Sequence, residues 1–432
     1  MNILLVNPPN CGRSIPEERY GIASIKQIFR GEPLALEELA GNLLAHQVHL
    51  LDLKVEPDGL ERELRELQPD VVGITGMTCE ANTMLQLAAT VKDACRAHVV
   101  VGGIHASNDP AFFNHPTVDY IVVGIGKKVF AELVRALEEG RDASELPGVL
   151  PTRPGKPMER PLLRNSTDDL VMTHPPAYDL VSHYRPHYTL KKMNVSMGFV
   201  ASAYGCPHRC SFCSVQGQTG GCYLTKSIET VIRDIKLLPD IPMIRLVDAN
   251  TFGNVTRATA LGRALRTSSL DHKQYLADIR SDTVVRHPEM LEEWKTAGLR
   301  AVIIGFEEIN DASLSAMNKA NKASINNEAI AILNAMGITI VGDFIISPEY
   351  DEEDFDRLEA YLGTRRIDLP MITVMTPLPG TPLYQQERHR IVNHDLDFYT
   401  LTNAVTPTGL DEKRFYERYA TLLANSHQNA RL

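Results

Sequence analysis

The chain has 432 residues, enough for two or three domains that each bury an apolar core. Hydrophobic residues make up 44% and charged residues 23%, as in ordinary globular proteins, and no basic stripe accompanies the net charge of −10, so a nucleic-acid partner has no electrostatic support. No apolar run in the sequence approaches the ~20 residues that cross a bilayer, and we expect no membrane span.

The first residues, MNILLVNPPN, lack the basic start and long apolar stretch of a signal peptide. They predict a buried strand instead. We therefore expect a cytoplasmic protein, in which thiols stay reduced. Clustered cysteines in that compartment bind a metal more often than they form disulfides.

Short apolar runs alternate with helical patterns over the first 145 residues. Strands are predicted at 2–7, 48–53, 70–76, 98–103 and 120–124, and helices at 34–45, 60–68, 82–95 and 129–140. This alternation, with continuously apolar strands, predicts a parallel, doubly wound sheet of the Rossmann-like kind. Ligands of such sheets bind at the loops beyond the carboxyl ends of the strands.

The loops at those carboxyl ends are short and rich in glycine. They contain Asn7-Pro8-Pro9, Gly76-Met77-Thr78, Gly102-Gly103-Ile104-His105 and Gly124-Ile125-Gly126. Such loops suit a ligand that lies against the backbone, and the predicted contacts are Gly102, Gly103, His105, Gly124 and Gly126. For His105, an ordinary loop histidine is an equal alternative.

The rest of the chain changes character twice. Residues 146–190 are rich in proline and polar residues, which predicts a linker that wraps between domains. A second β/α series follows, with strands predicted at 245–250, 274–281, 301–308, 339–347 and 371–382 and helices that include 287–297 and 325–336. This series is long enough for a partial or complete barrel. The last ~45 residues are predicted to be mostly helical.

Four of the seven cysteines lie within YGCPHRCSFCSVQGQTGGCYLT, where Cys206, Cys210 and Cys213 have the spacing C-x3-C-x2-C. Structural zinc usually takes four ligands from paired C-x2-C elements, and only Cys222 is spare nearby. A 4Fe–4S cluster accepts closely spaced cysteines on one loop. Three thiolates leave one iron open, which can bind a substrate or cosubstrate directly.

The cysteine spacing, with Phe212 before the last cysteine, resembles the signature of radical S-adenosylmethionine (SAM) enzymes. GEPLALEELAGNLL, PDVVGITGMTCEAN and VVVGGIHAS are similar to the subclass with a cobalamin-binding domain, and within it to hopanoid C-3 methylases. GFEE (305–308) and TPLPGTPLY (376–384) also match family motifs. The resemblance covers nearly the whole chain.

This resemblance implies an α/β protein in four parts. They are a Rossmann-like domain of the cobalamin-binding type (1–145), a linker (146–190), a radical SAM partial (β/α) barrel (191–385) and a short helical C-terminal region (386–432).

The resemblance also implies the cofactor ligands. Cys206, Cys210 and Cys213 would ligate a 4Fe–4S cluster whose open iron binds SAM, and one electron from the cluster would cleave a carbon–sulfur bond of SAM. The implied SAM contacts lie at strand ends and are Asp248, Asn250, Asp278, Arg280, Ser281, Gly305 and Glu307. Polar residues at the carboxyl ends of barrel strands generally point into the site, which agrees with this set.

The loop after the last strand of the first domain departs from the family pattern. The family usually has Gly-Glu-Gly-Glu there, whereas this chain reads Gly124-Ile125-Gly126-Lys127-Lys128. A D-x-H-x-x-G motif is absent, so a bound cobalamin would lack a protein histidine on its lower face. Two interpretations stay open: the domain binds cobalamin, or it is an inherited scaffold.

The leading functional hypothesis is a radical SAM transferase, and specifically a methyltransferase. It would move a methyl group through cobalamin to an unactivated centre of a small molecule in secondary metabolism, with an electron donor such as flavodoxin or ferredoxin. The alternative is cobalamin-free transfer of the 3-amino-3-carboxypropyl group of SAM to an acceptor such as a thiophilic arsenic species, helped by Cys11 or Cys222. A third hypothesis, an iron–sulfur or cobalamin sensor, conflicts with the implied SAM contacts. The motifs do not identify the substrate.

Overall fold

The structure is a computed structural model that describes residues 1–22, 31–162, 165–170, 174–190, 195–270, 272–428 and 430–431. The first half forms a sheet with the strand order β2-β1-β3-β4-β5-β6, parallel except for the antiparallel edge strand β6. The strands are β1 (Asn2–Asn7), β2 (Gln47–Asp52), β3 (Val71–Thr75), β4 (His98–Gly102), β5 (Tyr120–Val122) and β6 (Val149–Pro151).

Helices cover both faces of this sheet. They are α1 (Ile15–Tyr20), α2 (Leu34–Gly41), α3 (Leu60–Leu67), α4 (Ala81–Ala94), α5 (Ile104–Asn108) and α6 (Gly126–Glu138). Successive β1 side chains point to opposite faces: Leu5 packs with α2 and α6, whereas Leu4 packs with α3 and α4. A strand buried on both faces reads as a continuous apolar run, so the predicted doubly wound sheet is confirmed.

The second half forms a sheet with the order β15-β14-β13-β12-β11-β8-β7, in which only β7 is antiparallel among the described strands. The strands are β7 (Thr189–Leu190), β8 (Val195–Val200), β11 (Met243–Leu246), β12 (Gln274–Ile279), β13 (Leu299–Glu307), β14 (Thr339–Ile346) and β15 (Leu369–Val374). This sheet is the predicted barrel in its partial form. Its first strand, β8, was not predicted.

A separate two-stranded ribbon, β9 (Ala203–Gly205) and β10 (Tyr223–Thr225), follows β8. The helices of this half are α7 (Val215–Thr219), α8 (Ile228–Lys236), α9 (Val255–Thr267), α10 (Ser281–Arg286), α11 (Pro288–Ala297), α12 (Asp311–Ala316), α13 (Ala323–Met336), α14 (Glu352–Thr364), α15 (Pro382–Glu387) and α16 (Glu412–Gln428).

The predicted linker is packed against both halves. At one end β6 extends the first sheet, and at the other β7 extends the second. Between them, the Tyr178 hydroxyl donates to the Phe199 carbonyl at 2.9 Å, and the Tyr188 hydroxyl donates to Asp52 Oδ2 at 2.9 Å. The linker therefore joins the two sheets through buried tyrosines, whereas its proline-rich part at 153–162 is mostly exposed.

The helical C-terminus is confirmed by α16, but much of residues 388–411 is irregular apart from a 3-10 turn at Leu396–Phe398. That stretch packs Tyr399 and Val405 into the core of the first half. No helix among the described residues combines the length and apolarity that bilayer crossing requires.

Replacing Tyr188 with Phe should lower the free energy of unfolding by ~1–3 kcal/mol, because the buried Asp52 carboxylate loses a hydrogen-bond donor. Urea unfolding of the purified protein measures this change. Tyr20→Phe removes a solvent-exposed hydroxyl and serves as the control, with an expected change within ~0.5 kcal/mol. Equal stability of both variants would show that the linker is not part of the core.

Candidate functional site

The predicted cluster cysteines lie on a loop that β9 and β10 close at its base. Because β8 leads directly into this ribbon, the loop projects from the carboxyl end of the first parallel strand of the barrel. Gly205 has φ +77°, and a Cβ there would overlap the carbonyl oxygen of Cys222. Only glycine lets the two ends of the loop approach this closely.

Several contacts fix the loop around the first cysteine. Gln216 Nε2 donates to the Cys206 carbonyl at 3.0 Å, and the Ser211 N–H donates to the Met317 carbonyl at 3.0 Å. Asn250 Nδ2 lies 4.0 Å from Cys206 Sγ. The structure therefore brings one predicted strand-end residue, Asn250, to the cysteine loop.

The chemistry of the three thiols suits an iron–sulfur cluster, which takes cysteine thiolates as ligands. Among the described residues, no three His, Cys, Asp or Glu side chains converge as they would on one ion. A cubane binds each thiolate through a different iron, so its sulfurs stay apart. Burial raises the pKa of Cys213 to about 11 and also raises the pKa of Cys210. Buried thiols of this kind stay protonated without a metal, and iron would bind them as thiolates, the ligands of a 4Fe–4S cluster.

Asp248, a predicted SAM contact, also supports the cysteine loop. Its Oδ1 accepts from the backbone N–H groups of Ser202 at 2.7 Å and Ala203 at 2.8 Å, and its Oδ2 accepts from the Ser202 hydroxyl at 2.6 Å. Arg257 donates to the Ser202 carbonyl at 3.2 Å. Through these hydrogen bonds, Asp248 positions the strand that leads into the cysteines.

A group of opposite charges lies at the ends of β12 and β13. Glu307 Oε1 is 2.5 Å from Lys319 Nζ, and Arg280 donates to the Lys319 carbonyl at 2.8 Å. Glu307 has φ +63° at a break in the strand register, which turns its side chain back over Gly305. A Cβ at Gly305 would overlap the Glu307 carboxylate, so the glycine leaves room for this placement of the Glu307 side chain.

The two remaining predicted SAM contacts differ in their surroundings. Asp278 is half-buried and pairs with Arg245, and burial raises the pKa of Asp278 to about 6. Ser281 is buried and donates to Asn326 Oδ1 at 2.6 Å. Asn326 in turn donates to the Phe306 carbonyl at 3.1 Å. Asp278 thus keeps access to a ligand, whereas Ser281 holds the end of β13 in place.

A cavity opens at the carboxyl edge of the first sheet, where ligands of doubly wound sheets bind. Four glycines that the sequence indicated as ligand contacts line it, namely Gly102, Gly103, Gly124 and Gly126. Tyr204 and Gln218 of the cysteine segment form another part of its wall. Glycines and apolar side chains form most of the wall, and Glu38, Lys127 and Gln218 add polar groups, so the surface suits part of a large heterocycle such as cobalamin.

His105 does not contribute to this cavity wall. Its ring is 0% exposed and packs edge-on against Phe112 and Phe113, with ring centroids 5.3 and 5.6 Å away. Neither ring nitrogen has a hydrogen-bond partner in the described part of the chain, and burial lowers the pKa of His105 to about 4. The predicted cofactor contact is therefore replaced by a neutral packing residue.

Lys127 is buried in the first turn of α6, whereas its neighbour Lys128 is exposed. Lys127 Nζ lies 2.6 Å from Glu38 Oε2, and Lys226 Nζ lies 2.7 Å from Glu38 Oε1. Burial alone would raise the pKa of Glu38, but the two ammonium groups outweigh it and hold that pKa at about 2. Burial lowers the pKa of Lys127 to about 7, because it outweighs the attraction of the Glu38 carboxylate, and the nearby Lys226 ammonium lowers it further.

Sequence reasoning missed five of the residues that shape this region, namely Glu38, Tyr204, Lys226, Arg245 and Lys319. Tyr204 and Lys226 flank the cysteine loop, so their position in the sequence was a usable signal. Glu38 lies within GEPLALEELAGNLL, where its charge suggested solvent rather than the core.

Replacing Gly205 with Ala should lower both stability and iron content, because the added Cβ overlaps the Cys222 carbonyl. Gly140→Ala is the matched control: Gly140 also has positive φ, but no heavy atom lies within 4 Å of its added Cβ. We expect ~1 kcal/mol for the control and a larger loss for Gly205→Ala. Thermal unfolding and iron analysis check this, and equal effects would contradict it.

Replacing Asp248 with Ala should reduce the iron retained after reconstitution, since the Ser202 and Ala203 N–H groups lose their acceptor. Asp278→Asn, on the neighbouring strand, should keep its iron because Asp278 does not contact the ribbon through any described hydrogen bond. Iron per chain measured for both variants tests this. Full iron in Asp248→Ala would show that these hydrogen bonds are not needed to hold the cysteine loop.

Comparisons with known proteins agree with this geometry. Residues 21–134 match the B12 binding domain family, and residues 200–362 match the Radical SAM superfamily. The chain is 30% identical over 403 residues to hopanoid C-3 methylase of Methylococcus capsulatus, covering 90% of this chain and 75% of that protein. It is 24% identical to bacteriochlorophyllide d C-8(2)-methyltransferase of Chlorobaculum tepidum, covering 74% and 68%.

Solved structures show the same fold. Radical SAM methyltransferase TsrM of Kitasatospora setae, with cobalamin and a [4Fe-4S] cluster bound, has a TM-score of 0.74 at 18% identity, covering 98% of this chain and 90% of that one. The cobalamin-dependent enzyme OxsB has a TM-score of 0.72 at 16% identity, covering 96% and 65%. These relatives do not favour the aminocarboxypropyl alternative. The chain belongs to the cobalamin-dependent radical SAM methyltransferase family.

Proposed function

We propose that this protein transfers a methyl group from cobalamin to an unactivated carbon centre of a small molecule, in secondary metabolism. One observation carries the proposal: Tyr204 and Gln218, on either side of the cysteines, also form part of the wall of the glycine-lined cavity. A ligand in the cavity therefore contacts side chains of the segment that carries the cysteines. Such proximity is what a shared substrate radical requires.

The chain's residues bind and orient the cofactors. Cys206, Cys210 and Cys213 would hold the cluster, and the glycines of the cavity wall would hold cobalamin. When bound, these groups supply an electron, a 5′-deoxyadenosyl radical from SAM and a methyl group. The protein's contribution is to keep the three reacting centres close and to exclude water.

The charged group at the end of β13 suits the amino-acid part of SAM. That part carries an ammonium and a carboxylate, and Glu307, Lys319 and Arg280 offer a complementary charge for each. Asn250, beside Cys206, adds an amide at the cluster end. These four residues, with Asp278 and Gly305, are the SAM contacts that we propose.

The proposed chemistry also indicates the electron donor and the cellular compartment of this protein. A cluster that must be reduced for each SAM cleavage needs an external one-electron donor, and we propose flavodoxin or ferredoxin. Reduced thiols and an oxygen-sensitive cluster also favour the cytoplasm.

Anaerobic reconstitution with iron, sulfide and hydroxocobalamin, then incubation with SAM and excess dithionite as the reductant and mass analysis of the SAM products, tests the proposed function. We expect 5′-deoxyadenosine and S-adenosylhomocysteine. The simultaneous replacement of Cys206, Cys210 and Cys213 by Ala should abolish both products together with the absorption of the cluster. Cys95→Ala is the control, because Cys95 lies outside the loop at the end of α4.

Two outcomes would contradict the proposal. Formation of 5′-methylthioadenosine would favour the alternative, transfer of the 3-amino-3-carboxypropyl group of SAM. Unchanged SAM cleavage in the triple variant would show that this loop does not hold the cluster.

A further inference from the structure

A single carboxylate of the first domain holds both strands at the base of the cysteine loop. The Tyr204 hydroxyl, on β9, lies 2.7 Å from both carboxylate oxygens of Glu38. Lys226, which directly follows β10, places its Nζ 2.7 Å from Glu38 Oε1. Lys127 binds the other side of the carboxylate, and its Nζ lies 3.9 Å from the centre of the Tyr204 ring. We call these four residues the Glu38 clasp.

Three members of the Glu38 clasp also face the cavity. Glu38, Lys127 and Tyr204 are all part of its wall, so a ligand that fills the cavity contacts them directly. Their side chains are nearly sealed from water, with 3% exposure for Glu38 and 6% for Lys127. Buried ion pairs of this kind depend strongly on geometry, because a displaced partner leaves an uncompensated charge.

The fourth member fixes the clasp to the barrel. Lys226 Nζ also lies 3.3 Å from Asp234 Oδ2 on α8, and Arg257 of α9 donates to the Lys226 carbonyl at 3.0 Å. Lys127, by contrast, belongs to the helix that borders the cavity. A shift of Lys127 or Tyr204 on ligand binding would therefore displace residues at the base of the cysteine loop, because the clasp is held there by the barrel.

We propose that the Glu38 clasp couples corrinoid binding in the cavity to retention of the iron–sulfur cluster. Glu38, Lys127 and Tyr204 are positioning residues in this coupling. The inference rests on the proposed function, because it requires both cofactors on one chain. By thermodynamic linkage, a loaded cluster raises corrinoid affinity by the same factor by which bound corrinoid stabilises the cluster.

Spectroscopic titration with hydroxocobalamin tests the coupling in the full chain. The dissociation constant is measured for cluster-loaded and cluster-free protein, and their ratio is the coupling factor. We expect the unsubstituted protein to bind about fivefold or more tightly when loaded. In Tyr204→Phe, which keeps the ring but loses the hydroxyl, and in Lys127→Met, the ratio should fall towards one.

Lys128→Met is the matched control, since Lys128 is the exposed neighbour on the same turn, and it should keep the full ratio. A merely structural role would weaken binding in both cluster states equally and leave the ratio unchanged. An unchanged ratio in both Tyr204→Phe and Lys127→Met, or a ratio of one in the unsubstituted protein, would overturn this inference. Neither result would contradict the proposed function. Absence of corrinoid binding in every state would overturn the proposed function as well.

Discussion

The buried carboxylate of Glu38 is the contact on which the arrangement of the two domains depends. Moving a charge out of water is costly, and here two ammonium groups and a hydroxyl offset that cost. Removing one partner from such a pair typically costs ~3–5 kcal/mol, because the remaining charge stays buried. The glycine edge of one sheet and the cysteine loop of the other keep their relative position through this contact.

A second contact, between α5 and the cysteine segment, supports the same arrangement of the two domains. Asn108, at the end of α5, donates to the Ser214 carbonyl at 3.0 Å, and a Cβ at Gly217 would overlap the Asn108 amide. The cysteine segment therefore contacts the first domain near its start through Tyr204 and near its middle through Ser214 and Gly217. Together these contacts make the cavity and the cluster loop parts of one site.

Local patterns predicted most of the fold. Apolar periodicity predicted most of the parallel strands, though not β8, and cysteine spacing singled out Cys206, Cys210 and Cys213 as the proposed cluster ligands. The charged network was not predicted because its members lie far apart in sequence: Glu38 and Lys226 are 188 residues apart. Lys127 was expected in a loop, but α6 begins at Gly126 and turns it inward. Asp248 follows a strand end as expected, and its hydrogen bonds to Ser202 and Ala203 were not predicted.

The central claim is that a corrinoid in the cavity and the cluster on the loop are neighbours across the wall that includes Tyr204. Electron paramagnetic resonance of cob(II)alamin in reduced, cluster-loaded protein measures this directly, since two nearby paramagnets broaden each other's signals. We expect a broadened cob(II)alamin signal that becomes sharp when Cys206, Cys210 and Cys213 are replaced by Ala. Identical sharp signals in both proteins would contradict it.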